Sequence, residues 1–110
     1  MSALARLLAT TFRHWLCALA ALPERAAAHI NRGLPLAELG RNAEALVSYD
    51  KALLSAAENI EAIYNRGHVL ERLKRHEEAL AAYDRAIAVS PGLAAAHANR
   101  GNTLRELKRF

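Results

Sequence analysis

The amino-acid sequence predicts an all-α fold in which short helical hairpins stack into a solenoid. The first observation is an internal repeat, because a shift of 34 residues brings most of the chain into register with itself. The second is composition: 53% of the residues are hydrophobic but only 5% are aromatic, which suits closely packed helices. The third is the opening segment, whose apolar residues return with the spacing of one helix face.

The repeat is clearest from residue 60 to residue 93. One position of the repeat is always a small residue, at Gly33, Gly67 and Gly101. Another is always aromatic, at Trp15, Tyr49 and Tyr83. The frame within this copy is Ile63-x2-Arg66-Gly67-x2-Leu70, followed by Ala79-x3-Tyr83, Ala86 and Pro91. This frame and its period resemble the tetratricopeptide repeat family.

The resemblance implies a right-handed superhelical solenoid of antiparallel helix hairpins, with about six helices. In that family the first helices of successive hairpins line a concave face that accepts an extended peptide or a partner helix. A single array over residues 1–110 is therefore expected. Its parts are a degenerate leading helix (1–25), two repeats (26–59 and 60–93) and a half repeat acting as a C-terminal cap (94–110).

The leading segment, residues 1–25, is predicted to be the second helix of a degenerate repeat. Its apolar stripe comprises Leu4, Leu8, Phe12, Trp15, Leu19 and Leu22. Pro23 is expected to end this helix, because proline lacks the backbone N–H that would continue it. A targeting peptide over residues 1–22 is the alternative, since no acidic residue precedes Glu24 and the segment contains Arg, Ser and Thr.

The first full copy departs twice from the family pattern. Pro35 falls in the middle of a helix, where it removes a hydrogen bond to the Asn31 carbonyl and is expected to kink or unwind the helix. Ala57 stands where the next copy has Pro91. Without that proline, the second helix is expected to continue for a residue or two toward Asn59.

The second and third copies give simpler expectations. Helices are predicted near residues 60–73 and 77–90, and a last helix from Ala94 to about Leu107. Gly67 is small so that the two helices of its hairpin can approach closely. The substitution Gly67→Leu is therefore predicted to overpack that contact.

The formal net charge of +4 does not indicate a nucleic-acid-binding protein, because the excess positive charge lies at the two ends of the chain. The apolar run in the opening segment is too short to span a bilayer. One cysteine, Cys17, permits no internal disulfide, so a reducing compartment and a cytoplasmic location are the simpler expectation.

No constellation of catalytic residues is visible in the sequence. The repeated glycines are too far apart for a nucleotide-binding loop, and no serine or cysteine lies in a recognisable nucleophile motif. The histidines, which have no pairing at metal-ligand spacing, are His14, His29, His68, His76 and His97. The prediction is a non-enzymatic chain without a cofactor or a metal ion.

Asparagine recurs immediately before the arginine of each copy, at Asn31, Asn65 and Asn99. A carboxamide offers two donors and one acceptor, so each could pair with the backbone of a bound peptide. The alternative is a structural bond between helices. The peptide-binding groove is predicted to comprise Asn31, Asn65, Asn99, Tyr64, His68, Arg72 and Asn102.

Arginine follows each of these asparagines, although the tetratricopeptide family usually has an apolar residue at that place. Asp50 and Asp84 recur with the same period on the second helix of each hairpin. Because a guanidinium can fork onto a carboxylate, Arg32 and Arg66 are predicted to form structural ion pairs with these two aspartates.

The leading functional hypothesis is a protein-interaction module that binds a peptide or a partner helix through the asparagines. A second hypothesis is an N-terminal fragment of an enzyme, because the asparagines are similar to those in O-linked N-acetylglucosamine transferases. A third is a structural repeat that forms homo-oligomers through the open ends of its stack. The expected partners are proteins or peptides, without nucleic acid or membrane.

Overall fold

The structure, a computed structural model, describes residues 2–108, and the side chains of residues 16–22 fall outside that description. Its helices are α1 (Ala3–Glu38), α2 (Asn42–Ser55), α3 (Ile60–Arg72), α4 (His76–Val89) and α5 (Ala94–Glu106). Each helix packs against the next one along the chain, so the helices form a row. The predicted all-α solenoid of helix hairpins is confirmed.

Two of the predicted helical segments form one helix, α1, which is 36 residues long. The prediction that Pro23 ends a helix is wrong, and α1 also continues through Pro35 without the expected unwinding. Among the side chains described before Pro23, Leu4 and Trp15 are each 65% exposed. We call residues 3–22 the N-terminal arm.

The turn after α2 forms although the sequence has no proline there. The prediction that α2 runs on past its register place is wrong, because α2 ends at Ser55 as α4 ends at Val89, one repeat later. Both turns carry the same backbone bond, from Asn59 N to Ala56 O and from Leu93 N to Ser90 O, each 3.1 Å. The turn therefore forms without the proline, because the packing of the next helix specifies it.

The core lies between the helices of each hairpin and is centred on two tyrosines. Tyr49 of α2 and Tyr83 of α4 are buried, and each ring lies directly over a glycine of the preceding helix. A Cβ added to Gly33 would lie 2.6 Å from Tyr49 Cε1, and one added to Gly67 would lie 2.8 Å from Tyr83 Cε1. Real Cβ atoms do not approach so closely, so only glycine fits beneath each ring.

Two residues after the end of α1, α3 and α5, the chain has a residue with left-handed backbone. These residues are Gly40 (φ 78°), Lys74 (φ 62°) and Lys108 (φ 56°). At α3 the N–H of Arg75 then donates to the Leu70 carbonyl at 2.9 Å, as in a Schellman motif. Glycine suits this backbone better than lysine does.

Within the described residues, no helix is long and apolar enough to cross a membrane.

Candidate peptide-binding groove

Helices α1, α3 and α5 lie side by side, and hydrogen bonds join their facing surfaces. Arg72 Nη1 of α3 donates to the Ala37 carbonyl near the end of α1, at 2.8 Å. Asn99 Nδ2 of α5 donates to the Tyr64 hydroxyl of α3, at 2.7 Å. The buried Thr103 hydroxyl of α5 contacts the Glu71 carboxylate of α3. These bonds hold three helices in one surface, which we call the groove.

The groove contains a hollow of about 160 Å³ between α1 and α3, which we call the N-terminal hollow. Tyr49 reaches it from α2, and Val69 is its buried apolar member on α3. The other residues around it are Leu34, Ala37, Glu38, Asn65, His68 and Arg72. An apolar base with polar groups at the rim suits an apolar side chain whose backbone is hydrogen-bonded at the edge.

A second hollow of about 260 Å³ lies between α3 and α5, which we call the C-terminal hollow. The residues around it are His68, Glu71, Arg72, Lys74, His76, Asn102 and Glu106. This hollow carries both signs of charge, with two carboxylates against a guanidinium and an ammonium. His68 and Arg72 line both hollows, so they form the wall between them.

One polar atom in the C-terminal hollow lacks a partner. His76 Nδ1 is buried and makes no hydrogen bond to any described residue. A buried polar atom is usually bonded in native proteins. Two other buried side-chain atoms without a bond among the described residues are Asn42 Oδ1, one repeat before His76, and the Tyr83 hydroxyl.

Burial changes the proton affinity of two residues in the groove. Burial lowers the pKa of His68 from its ordinary value of 6.5, and the neighbouring Arg72 guanidinium lowers it further against the opposing effect of Glu71. Burial also raises the pKa of Tyr49, with Glu61 adding to the rise. Both side chains therefore favour their neutral forms, so the wall between the hollows carries its charge on Arg72.

The three repeated asparagines occupy three different environments, which corrects the prediction of one continuous ladder. Asn31 is exposed on α1 and borders neither hollow. Asn65 borders the N-terminal hollow. Asn99 borders neither and bonds to Tyr64, as the structural alternative required. Asn99 and Asn65 differ because of the residue that faces each of them. Tyr64 offers Asn99 a hydroxyl, whereas the residue one repeat before Tyr64 is Ile30, which has no hydroxyl to offer Asn65.

Of the other predicted groove residues, His68, Arg72 and Asn102 do line a hollow. Tyr64 is partly buried against Tyr83, with ring centroids 6.0 Å apart, and lines neither hollow. The prediction missed Tyr49, the unbonded His76, and the acids Glu38, Glu71 and Glu106. A register signal existed for two of these acids, because Glu38, Arg72 and Glu106 fill one place of the repeat.

The repeated arginines form ion pairs that join one hairpin to the next. Arg66 Nε lies 2.5 Å from Asp50 Oδ1, and Arg100 Nε pairs with Asp84 in the same way. Asp84 therefore takes Arg100, and Arg32 has no ion pair among the described side chains. The residue one repeat before Asp50 is Leu16, which leaves Arg32 without its carboxylate. Such half-exposed pairs contribute about 1 kcal/mol or less.

No group of three or more potential ligands among histidine, cysteine, aspartate and glutamate lies close enough to hold a metal ion, within the part of the chain that the structure describes. The residues that line the two hollows offer hydrogen-bonding groups, charges and apolar contact. Such a surface can recognise another chain by its backbone and a few side chains.

Comparison with known proteins agrees with this architecture. The family model described as "Tetratricopeptide repeat" matches residues 60–93. Among solved structures, the chain is similar to the one titled "Crystal structure of MamA", with a TM-score of 0.75 and 21% sequence identity over 76% of this chain. The chain spans 49% of the length of that protein. No curated protein matches the sequence.

The family match covers the copy whose helices the structure places at α3 and α4. The neighbouring helices repeat its contacts, with a tyrosine over a glycine in both complete hairpins. Residues 60–93 therefore match the tetratricopeptide repeat in sequence, and the array around them is similar in fold to the MamA structure.

Proposed function

We propose that this chain binds an extended segment of a partner protein in the groove formed by α1, α3 and α5, and that it does so without catalysis. The observation that carries the proposal is the pair of adjoining hollows, which share His68 and Arg72 as a common wall. Tetratricopeptide repeats generally mediate contacts between proteins, so the family of residues 60–93 supports the same class of function.

The two hollows favour different parts of the bound segment. An apolar side chain fits the N-terminal hollow, where the Asn65 carboxamide at the rim can pair with the backbone. A polar or charged side chain fits the C-terminal hollow beside Glu71, Lys74 and His76. Neighbouring helices lie roughly 8 to 10 Å apart and an extended chain advances about 3.3 Å per residue. The two side chains are therefore expected to lie about three residues apart.

Peptide selection followed by binding measurements tests this proposal. A library of random peptides is selected on the 110-residue chain, and the enriched sequences are measured by fluorescence polarisation. The substitutions Asn65→Ala and Asn102→Ala are expected to weaken binding at least about tenfold with little change in melting temperature. Asn31→Ala is the matched control, because Asn31 has the same register place but borders neither hollow. Its binding and melting temperature are expected to match the wild type.

Two outcomes contradict the proposal. One is a selection that enriches no peptide sequence. The other is a set of selected peptides that bind Asn65→Ala and Asn102→Ala as tightly as the wild type. The substitution His76→Phe provides a second check, since His76 lines the C-terminal hollow and phenylalanine removes its polar ring atoms. It is expected to weaken those peptides that reach the C-terminal hollow.

A further inference from the structure

Two aromatic rings in the described part of the chain each cover a glycine of the preceding helix. One further ring and one further glycine have the same places in the repeat but lack this contact among the described residues. Tyr49 covers Gly33 and Tyr83 covers Gly67. Gly101 has the same register place on α5, but a Cβ built there meets no atom of the described residues within 4 Å. At the other end, Trp15 has the register place of the two tyrosines and is 65% exposed. Among the described residues, therefore, Trp15 covers no glycine and no ring covers Gly101.

The surface around Gly101 is shaped to receive a helix. Ala94, Ala98 and Leu104 lie along the same face of α5, one helical turn apart from each other or from the glycine. Leu104 is only partly buried, whereas Leu70, its counterpart one repeat earlier, is fully buried against the tyrosine-bearing helix. This face is therefore small, apolar and incompletely covered among the described residues.

The N-terminal arm carries the complementary bulk. Its exposed large side chains are Leu4, Leu7, Leu8, Phe12 and Trp15, each at least 60% exposed. In sequence, Ala18 occupies the place of Ala52 and Ala86, which are buried in the two complete hairpins. The arm therefore has the register pattern of the helix that would follow α5, with a ring and a small residue in the required places.

The arm cannot reach α5 of its own chain. Residues 3–38 form one helix, which at 1.5 Å per residue is about 54 Å long. Its second half packs on α2 at one end of the row, and α5 lies at the other end. A rigid helix projecting from the first hairpin places Trp15 away from Gly101 of the same molecule, so a second molecule must supply the contact.

We propose that the N-terminal arm of one copy docks on α5 of a second copy, with Trp15 over Gly101. Full burial of an aromatic side chain removes about 150 to 250 Å² from water. Phe12 and Trp15 together with three leucines thus approach the roughly 800 Å² per partner of a standard protein interface. The contact joins two different surfaces, so each added copy presents a new arm and the assembly grows head to tail.

Sedimentation velocity over a wide concentration range is the first test, performed on the 110-residue chain. The wild type is expected to associate into species larger than a dimer as the concentration rises. Trp15→Ala is expected to weaken association at least about tenfold, because a buried tryptophan is a typical hot spot. Gly101→Leu is expected to do the same by filling the ring's place. Leu54→Ala is the control, since Leu54 is 87% exposed on α2 and belongs to neither the arm nor α5.

Mixing the two variants tests the direction of the contact. Trp15→Ala retains only the α5 surface, and Gly101→Leu retains only the arm. Each is expected to be monomeric alone, whereas an equimolar mixture is expected to form a dimer that grows no further. Because Trp15 is the single tryptophan of the chain, its emission reports the contact directly. A blue shift is expected when Gly101→Leu is mixed with Trp15→Ala, and none when Gly101→Leu is concentrated alone.

Several results would overturn the proposal. A wild type that stays monomeric at all concentrations removes it, as does association that survives Trp15→Ala. Association that is lost in Trp15→Ala but kept in Gly101→Leu shows that arms pair with each other instead. A tryptophan blue shift with vesicles of anionic phospholipid, in the absence of any concentration-dependent shift, assigns the arm to a lipid surface. Far-ultraviolet circular dichroism checks that each variant keeps the helical content of the wild type.

Discussion

Two junctions in this chain have the same register but different chemistry, and one residue accounts for most of the difference. The first junction is the contact of α1 with α3, and the second is the contact of α3 with α5. At the second, Tyr64 provides a hydroxyl that binds Asn99 and a ring that packs on Tyr83. At the first, Ile30 stands in its place, so Asn65 faces an open hollow above Tyr49.

The comparison shows how a repeat divides structural and binding roles without changing its fold. The two junctions share the ion pair between hairpins, since α3 brings Arg66 to Asp50 and α5 brings Arg100 to Asp84. An asparagine bonded within the array contributes to stability, and an asparagine left at a hollow is available to a ligand. The role of a repeated asparagine is therefore decided by the residue that faces it across the junction, and not by its own identity.

The largest expected effect comes from the glycines beneath the rings. Gly67→Leu is expected to lower the free energy of unfolding by about 3 kcal/mol, because its Cβ would lie 2.8 Å from the Tyr83 ring. Gly101→Leu is expected to be neutral or slightly stabilising in the monomer, since its Cβ meets nothing and leucine favours helix. Urea denaturation at low protein concentration measures both. Equal destabilisation by the two substitutions would contradict the open face on α5.

A double-mutant cycle tests the bond that distinguishes the second junction. Tyr64→Phe and Asn99→Ala are each expected to cost about 1 to 2 kcal/mol, because each removes one partner of a partly buried hydrogen bond. The double mutant is expected to cost little more than either single one, since the bond can be lost only once. Thermal or urea unfolding of the four proteins supplies the coupling energy. Strictly additive costs would show that the two side chains do not interact.

The sequence alone predicted the periodic features of this fold and missed those that depend on neighbours. Helices α3 and α4 lie within one residue of their predicted limits, because they follow from apolar spacing within one copy. Pro23 and Ala57 misled the prediction in opposite directions. A turn forms after α2 without proline, and α1 runs through two prolines, so proline alone does not decide where this chain bends.

The site was harder to predict for a similar reason. The bond of Asn99 depends on Tyr64, which lies 35 residues earlier and on another helix. The repeat frame shows that the asparagines are equivalent in sequence, and the prediction gave all three the same role in binding a peptide. The sequence does contain the difference that separates them, since Ile30 stands where the next repeat has Tyr64. That difference can be interpreted only when it is known which side chains face each other across a junction.

The ends of α1 and α3 give a smaller test of the comparison. Both are followed by a residue in left-handed backbone, which is Gly40 after α1 and Lys74 after α3. Lys74→Gly is therefore expected to raise the free energy of unfolding by about 0.5 to 1 kcal/mol, as the strain of a left-handed lysine is relieved. Gly40→Ala is expected to lower it by about 1 kcal/mol. Urea midpoints that move in the other direction would show that side-chain contacts of Lys74 outweigh its backbone.

The smallest expected effect is a pH dependence from His68 in the wall between the two hollows. Burial, and then Arg72, lower the pKa of His68 below its ordinary value of 6.5 in the folded chain. The unfolded chain thus binds the proton more readily, so stability is lost as pH falls from about 6.5 through the folded pKa. Above that window His68 is neutral in both states and contributes no pH dependence.

His68→Gln isolates this contribution, because glutamine has a similar polar reach but does not titrate in this range. The melting temperature of the wild type minus that of His68→Gln is expected to be constant at pH values above about 7 and to decrease toward pH 5. All other titrating groups are common to the two proteins, so most of their effect cancels in the difference. A difference that stays constant, or that increases as the pH falls, would show that the folded chain does not disfavour the charged imidazole. The shared wall would then accept a second positive charge beside Arg72, and acidic peptides would be expected to bind more tightly at low pH.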